Sequence, residues 1–306
     1  MKKFNEVLEK YDLKPYKREY KGNVLIVYTD KGNFAIKEKG RKDNNPIYEY
    51  LNSRNFHYYP ERISGKEEDY EIVPYLPDSQ IPDEQKMLDL IDLLALLHSK
   101  TTHYKEVTED DYKEIYEDLL GNIEHLTTYY NDQISLIETK IYMSPSEYLL
   151  ARNISKVLGA LYYARNELEN WYKKVKDNHR MRYVVLHNNL SLDHFIRNEN
   201  SYFISWDKSK IGLPVFDFFK LYKAHGLAFD FYELLRLYEK KYPLLDEERA
   251  LLFVLLSLPD KLEEEKTEYN RCKMVSTKID FLYKTEFVIS PYNTNKGKEN
   301  NTHEQK

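Results

Sequence analysis

The 306 residues contain 46 Lys and Arg against 51 Asp and Glu, a net charge of −5, with 42% apolar and 32% charged residues. That composition supports a sizeable core and excludes a polyanion binder of the usual kind, since phosphate backbones are met by a basic excess; no nucleic-acid partner is expected. The single cysteine, Cys272, excludes an intrachain disulfide framework and any multi-thiolate metal site, no apolar leader opens the chain, and the longest apolar run, Ala250 to Leu258, is about half a membrane span, so a cytoplasmic protein without a membrane span is expected.

Two glycine turns, Lys21-Gly22-Asn23 and Asp30-Lys31-Gly32-Asn33, punctuate an alternating pattern over the first forty residues. They predict antiparallel strands over Val24 to Thr29 and Phe34 to Lys37. Pro46 opens a short helix over Ile47 to Arg54. Tyr70 to Pro74, β-branched and aromatic, reads as a further strand ending in Pro-Tyr-Leu-Pro. These elements form a small sheet region over residues 1–76.

From Pro82 the apolar period becomes 3.6, with Met87, Leu90, Ile91, Leu94 and Leu97 on one face. A second helix opens at Ser144-Pro145-Ser146-Glu147, where the hydroxyl cap, the proline and the glutamate three residues on satisfy orphan amides. Its stripe, which includes Val157, Leu161, Leu168, Trp171 and Val175, reads as a core face. Short strands then interrupt the helices at Tyr183 to Leu186, Phe195-Ile196 and Tyr202 to Ser205, the last two around an Asn198-Glu199-Asn200-Ser201 turn. The helical period returns after Asp217 and runs to about Tyr283. Residues 77–290 are thus a helical region with an inserted hairpin, and 291–306, rich in Asn, Lys and Gly, read as a disordered tail.

The chemistry concentrates in the run from His187-Asn188-Asn189-Leu190 through Asp193-His194-Phe195-Ile196 to Ser205-Trp206-Asp207, then Gly212-Leu213-Pro214-Val215-Phe216-Asp217. Together with Phe34-Ala35-Ile36-Lys37 ahead of it, this run resembles the aminoglycoside phosphotransferase and choline kinase family, including the CotS-type spore coat proteins. The family pattern is approximately His-Gly-Asp-Leu-x-x-x-Asn, then Ile-Asp-Trp/Phe-Glu/Asp, then Gly-x-Pro-x-x-Asp. The resemblance implies an α+β fold of the bilobal protein-kinase-like kind, with a small antiparallel sheet lobe and a large helical lobe. It also implies phosphoryl transfer to an alcohol from ATP with magnesium, a chemistry made mostly of positioning and charge neutralisation.

Laid on that pattern, the frame residues His187, Leu190, Gly212, Pro214 and Asp217 match, and His187 and Asp217 are expected to hold the loop as paired buried polar groups. The chemical positions depart. The catalytic aspartate falls on Asn189, an amide without basicity near neutral pH. The metal-binding asparagine falls on His194, and the metal-binding aspartate on Ser205, which removes a charge from a site for a hard cation. Lys37 is the phosphate lysine of the pattern and Glu49 its expected partner, with Val73 and Tyr75 beside a base. The Lys-Gly-Asn turn is too short to cradle phosphates, and Pro74 removes one backbone donor from the hinge.

These departures favour a kinase-like protein without phosphotransfer, a pseudokinase acting as a binding or scaffold protein for an unidentified partner, with no cofactor. The resemblance points to a spore-forming bacterium's envelope or signalling assembly as its setting. The alternative is an active small-molecule kinase using ATP and magnesium with relocated ligands. On a strand, residues two apart face the same way, so Asp207 could stand in for Ser205 from about 7 Å away, and Asp193 could approach a metal if its loop bulged.

Overall fold

The computed structural model describes residues 2–40, 44–65 and 69–303. Packing divides the chain into two compact units, Met1–Thr102 with Val184–Gly212, and His103–Tyr183 with Leu213–Lys306. The sheet region therefore packs as one body with the first long helix and with the inserted hairpin, and this division differs from the one at residue 76 drawn from sequence.

In the first unit, strands β1 (Pro15–Lys21), β2 (Val24–Thr29), β3 (Gly32–Glu38) and β4 (Tyr70–Pro74) form an antiparallel sheet in sequence order, with β1 and β4 as its edges. Both hairpin turns are two residues long, since Lys21 pairs with Val24 and Thr29 with Gly32. Gly22 has a φ of +56° and Gly32 one of +124°, values that a residue without Cβ adopts at little cost. Strand alternation sends Leu25, Val27, Ile36 and Ile72 into a core with Leu8 and Leu13. The amino-terminal residues supply the other half of that core. They form helix α1 (Lys2–Lys10), not a continuation of the alternating pattern, because Phe4, Val7 and Leu8 recur at helical spacing and face the sheet.

Helix α2 (Asn45–Ser53) has Pro46 in its first turn, and helix α3 (Asp83–Thr101) buries Met87, Leu90, Ile91, Leu94 and Leu97 completely, as the periodicity predicts. Strands β7 (Phe195–Arg197) and β8 (Ser201–Phe203) make the inserted hairpin, β7 one residue longer than expected and β8 ending at Phe203 where Ser205 was expected. It is fastened within this unit: Phe203 N–H donates to the Tyr58 carbonyl at 2.9 Å, and the carboxylate of Asp78 accepts from Arg197 N–H at 2.8 Å.

The second unit contains strand β5 (His103–Glu106) and helices α4 (Glu109–Glu138), α5 (Pro145–Val175), α6 (Val215–His225), α7 (Phe231–Lys241), α8 (Asp246–Ser257) and α9 (Glu268–His303). Strand β6 (Arg180–Leu186) begins there, pairing with β5, and ends in the first unit, pairing with β9 (Lys210–Gly212). The Ser144 cap forms as its sequence dictates: Ser144 N–H donates to the Glu147 carboxylate at 2.9 Å while Glu147 N–H donates to Ser144 Oγ at 3.4 Å. Val157, Leu161, Leu168, Trp171 and Val175 of α5 are buried, and α5 packs on α4, α8 and α9.

The tail expected over 291–306 lies partly outside the described residues. Helix α9 contains Pro291 and ends at His303, and Tyr292 packs edge-on against Tyr232 and Phe253 and donates to Glu239 at 2.9 Å. Residues 304–306 lie outside the described residues. No helix is long and apolar enough to cross a membrane among the described residues.

Candidate functional site

The site is built on the face of the sheet opposite its core. Register places Lys37 of β3 directly across from Glu71 of β4, so the ammonium and carboxylate meet at 3.1 Å. Glu71 is 5% exposed, and a carboxylate so removed from water requires compensating charge and hydrogen bonds. Its second oxygen accepts from Arg62 Nε, and the same guanidinium donates to Asn45 at 2.7 Å and lies 4.2 Å over the Tyr48 ring. Burial, followed by the negative charge of Glu71, pushes the Tyr48 hydroxyl well above its ordinary range.

This arrangement corrects the expected Lys37–Glu49 pair. Glu49 is exposed on α2, whereas Glu71 is the cross-strand neighbour of the lysine, and facing pairs on adjacent strands meet without help from a helix. A lone carboxylate in the apolar run Tyr70-Glu71-Ile72-Val73 was the available signal.

The loop after β6 supplies the other side. His187 is fully buried, donates from Nε2 to the Ile204 carbonyl at 2.8 Å and packs against Phe203 and Trp206. Asn188 is left-handed, with φ +61°, and its amide donates to the Lys208 carbonyl at 2.8 Å. Asn189 donates from Nδ2 to the Ser205 carbonyl at 3.5 Å, and His194 donates from Nδ1 to the Asn189 carbonyl at 2.7 Å, with Ser191 Oγ 3.2 Å from the same nitrogen. Asn189, His194 and Ser205 thus converge, and they do so through the loop's own carbonyls.

Ser205 does not lie on a strand. Its backbone is left-handed, with φ +64° and ψ +53°, and it precedes a turn of 3-10 helix over Trp206–Lys208. The strand argument that aligned Asp207 with Ser205 therefore fails. Both oxygens of Asp207 lie 3.0 Å from Lys37 Nζ, which thus holds this carboxylate as well as that of Glu71. Between them, Trp206 is 2% exposed and packs against Tyr48, Phe56, Tyr59, His187 and Phe203, its indole N–H donating to the Phe203 carbonyl at 2.9 Å. Asp193 is exposed. Asp217 is fully buried in the first turn of α6, in the second unit.

Magnesium needs several hard oxygen ligands, with carboxylates foremost. Here the candidate positions offer an amide and an imidazole whose polar groups already satisfy the loop, a serine, and an aspartate held by a lysine. Among the described residues no group of three or more His, Cys, Asp or Glu is arranged to hold a metal ion. The donor set does not fit the ion that the fold's usual chemistry requires.

A cavity of about 420 Å³ lies over these residues, within the range of small-molecule sites. Val73, Tyr75, Lys37, Glu71, His194 and Ser205 all line it. At its edge Lys21 donates to the Tyr75 hydroxyl at 3.2 Å, a bond that raises the lysine's pKa. Glu71, Arg62, Trp206 and Lys21 are the contributors that motif reading does not supply.

The structure resembles that of an aminoglycoside phosphotransferase from Alicyclobacillus acidocaldarius, with a TM-score of 0.68 over 95% of each chain at 10% identity. It resembles the AMP-bound spectinomycin phosphotransferase APH(9)-Ia at a TM-score of 0.51, covering 95% of this chain and 93% of the other at 14% identity. A glucosamine kinase aligns at a TM-score of 0.53, over 94% of this chain and 78% of that one, at 9% identity. No protein-family model and no curated protein matches the sequence. The chain has the protein-kinase-like fold in its aminoglycoside phosphotransferase-like form, as its loop motifs imply.

Proposed function

We propose that this protein is a kinase-like binding or scaffold protein that has lost phosphotransfer. The observation that carries the reading is the hydrogen bonding of the degenerate positions: Asn189 and His194 each donate to a loop carbonyl, and Asp207 closes on Lys37. A general base contributes roughly 10²- to 10⁴-fold to such a reaction, and Asn189 has no basic nitrogen or oxygen to offer. The phosphate lysine is neutralised from two directions. Without acids for a divalent ion, little remains to balance the charge of a transferring phosphoryl group.

The test is turnover of ATP with magnesium, alone and with spectinomycin or glucosamine, compounds named for the structural neighbours. The expected outcome is no turnover above background in the native chain. The triple variant Asn189→Asp, His194→Asn, Ser205→Asp is expected to gain magnesium binding in calorimetry, because it restores two carboxylates and an oxygen amide. Turnover at ordinary kinase rates in the native chain, abolished by Asp207→Ala, would instead establish a phosphotransferase with relocated metal ligands, using ATP and magnesium.

A further inference from the structure

The four-stranded sheet has two edges, and they are finished differently. On β4 the outer side is occupied: the Ile72 carbonyl accepts from Ile63 N–H at 2.8 Å, and Ile72 N–H donates to Ser64 Oγ at 3.1 Å. On β1 no further strand is paired among the described residues. Peptide groups alternate from the closing hairpin pair of Lys21 and Val24, so those of Lys17, Glu19 and Lys21 turn to β2 and those of Arg18 and Tyr20 turn outward. Two N–H donors and two carbonyl acceptors thus stand on an open edge, in the order that an added strand requires.

The side chains of that edge select the strand that fits it. Residues 14–21 read Lys-Pro-Tyr-Lys-Arg-Glu-Tyr-Lys, four cations and one acid in a chain of net charge −5. Glu19 is used within the sheet, by Lys17 at 2.6 Å and by the Tyr28 hydroxyl at 3.0 Å. Arg18 donates to the Asn5 side-chain oxygen at 3.1 Å and Lys21 to the Tyr75 hydroxyl at 3.2 Å. Both acceptors are neutral, so neither bond matches the charge of its cation. Arg18 lies on the face of its register partner Val27, and Lys21 on the opposite face with Val24. Tyr16 and Tyr20 are 72% and 59% exposed and offer rigid aromatic area at low entropic cost.

An edge with this much positive charge repels a second copy of itself, because pairing β1 with β1 sets cations against cations. A phosphate backbone would match the charge, but it offers only acceptors and leaves the outward carbonyls of Arg18 and Tyr20 unanswered. An acidic peptide in extended form answers both the charge and the peptide groups.

We propose that β1 is a docking edge for an extended acidic segment of a partner protein, which adds to the sheet as a further strand. Alternate peptide groups of the segment bond those of Arg18 and Tyr20, and carboxylates three positions apart meet Arg18 on one face and Lys21 on the other. This role stands whether or not the chain turns over ATP, since the edge uses no residue of the phosphotransferase pattern.

Selection of a displayed library of random peptides of about eight residues against the full chain tests it, followed by fluorescence anisotropy of the enriched sequence. The expected consensus has two carboxylates three positions apart with a β-branched or aromatic residue between them. N-methylation of the enriched peptide at alternate amides separates strand addition from charge attraction. One set of alternate amides should weaken binding by about tenfold per methyl, and the other by less than about twofold. Arg18→Glu should weaken it by about tenfold or more while circular dichroism shows the chain folded, and Lys113→Glu on α4 should leave it unchanged. Should Arg18→Glu fail to fold, the two methylated sets on the native chain still decide. Absence of an acidic consensus, equal effects of the two methylated sets, or single-stranded DNA binding as tightly as the peptide would each overturn the proposal. ATP turnover by the native chain would sink the proposed function and leave this role intact, whereas failure of the peptide arms sinks this role alone.

Discussion

The two sides of the cavity hold their residues by different means. On the sheet side, Lys37, Glu71 and Val73 are placed by strand register on the face opposite the core. On the loop side, Asn188, Asn189 and His194 are placed by hydrogen bonds to the loop's own carbonyls, with Trp206 wedged behind them. These side chains satisfy the backbone carbonyls of the loop from within it.

The strongest way to break this contrast is to remove the wedge. Trp206→Ala deletes a fully packed indole and is expected to cost about 3–5 kcal/mol of unfolding free energy in urea denaturation. If the loop side were instead organised by an ion, magnesium would restore the loss, and the expectation is that it does not. Next comes the sheet side. Glu71→Gln leaves Lys37 and Arg62 without their shared buried carboxylate and is expected to cost about 3 kcal/mol, while Glu49→Gln should stay within about 0.5 kcal/mol. Equal effects in the two variants would reverse the assignment of the ion pair.

The smallest expected effect is in alkali. Burial holds the Tyr48 hydroxyl neutral in the folded protein, helped by Glu71, so its folded pKa stands above its unfolded value near 10. Its contribution to stability is complete below about pH 10 and is lost as pH rises beyond it. Buried Tyr112 and Tyr222 and half-buried Tyr163 of the helical unit, pushed up to about 12 chiefly by burial, act in the same window. Melting temperature should be flat to about pH 10 and fall above it, and Tyr48→Phe should make that fall less steep. An identical slope in the variant would show that Tyr48 ionises without cost.

The sequence made the frame of this site readable and its pairing much less so. Gly22 and Gly32 mark the turns that set the sheet register, the strand alternation puts Lys37 on the face opposite Ile36, and the Ser144 capping box marks the start of α5, because all three are local codes. The run from His187 to Asp217 pointed to the fold through its resemblance to the family pattern at His187, Leu190, Gly212, Pro214 and Asp217. Glu71 was missed because the partner of Lys37 is set by register across two strands separated by α2. Ser205 was assigned to a strand because Tyr202-Phe203-Ile204 has strand propensity; the left-handed turn at 205 is set by the packing of Trp206, which no local pattern encodes. The same packing withdrew Asp207 from its supposed place and gave it to Lys37.

The turn between β1 and β2 spans only Gly22 and Asn23 between paired strand residues. A connection that short has no slack to fold down over a guest. The cavity edge at Lys21 therefore stands beside a tight, rigid hairpin end and not beside a flap of chain.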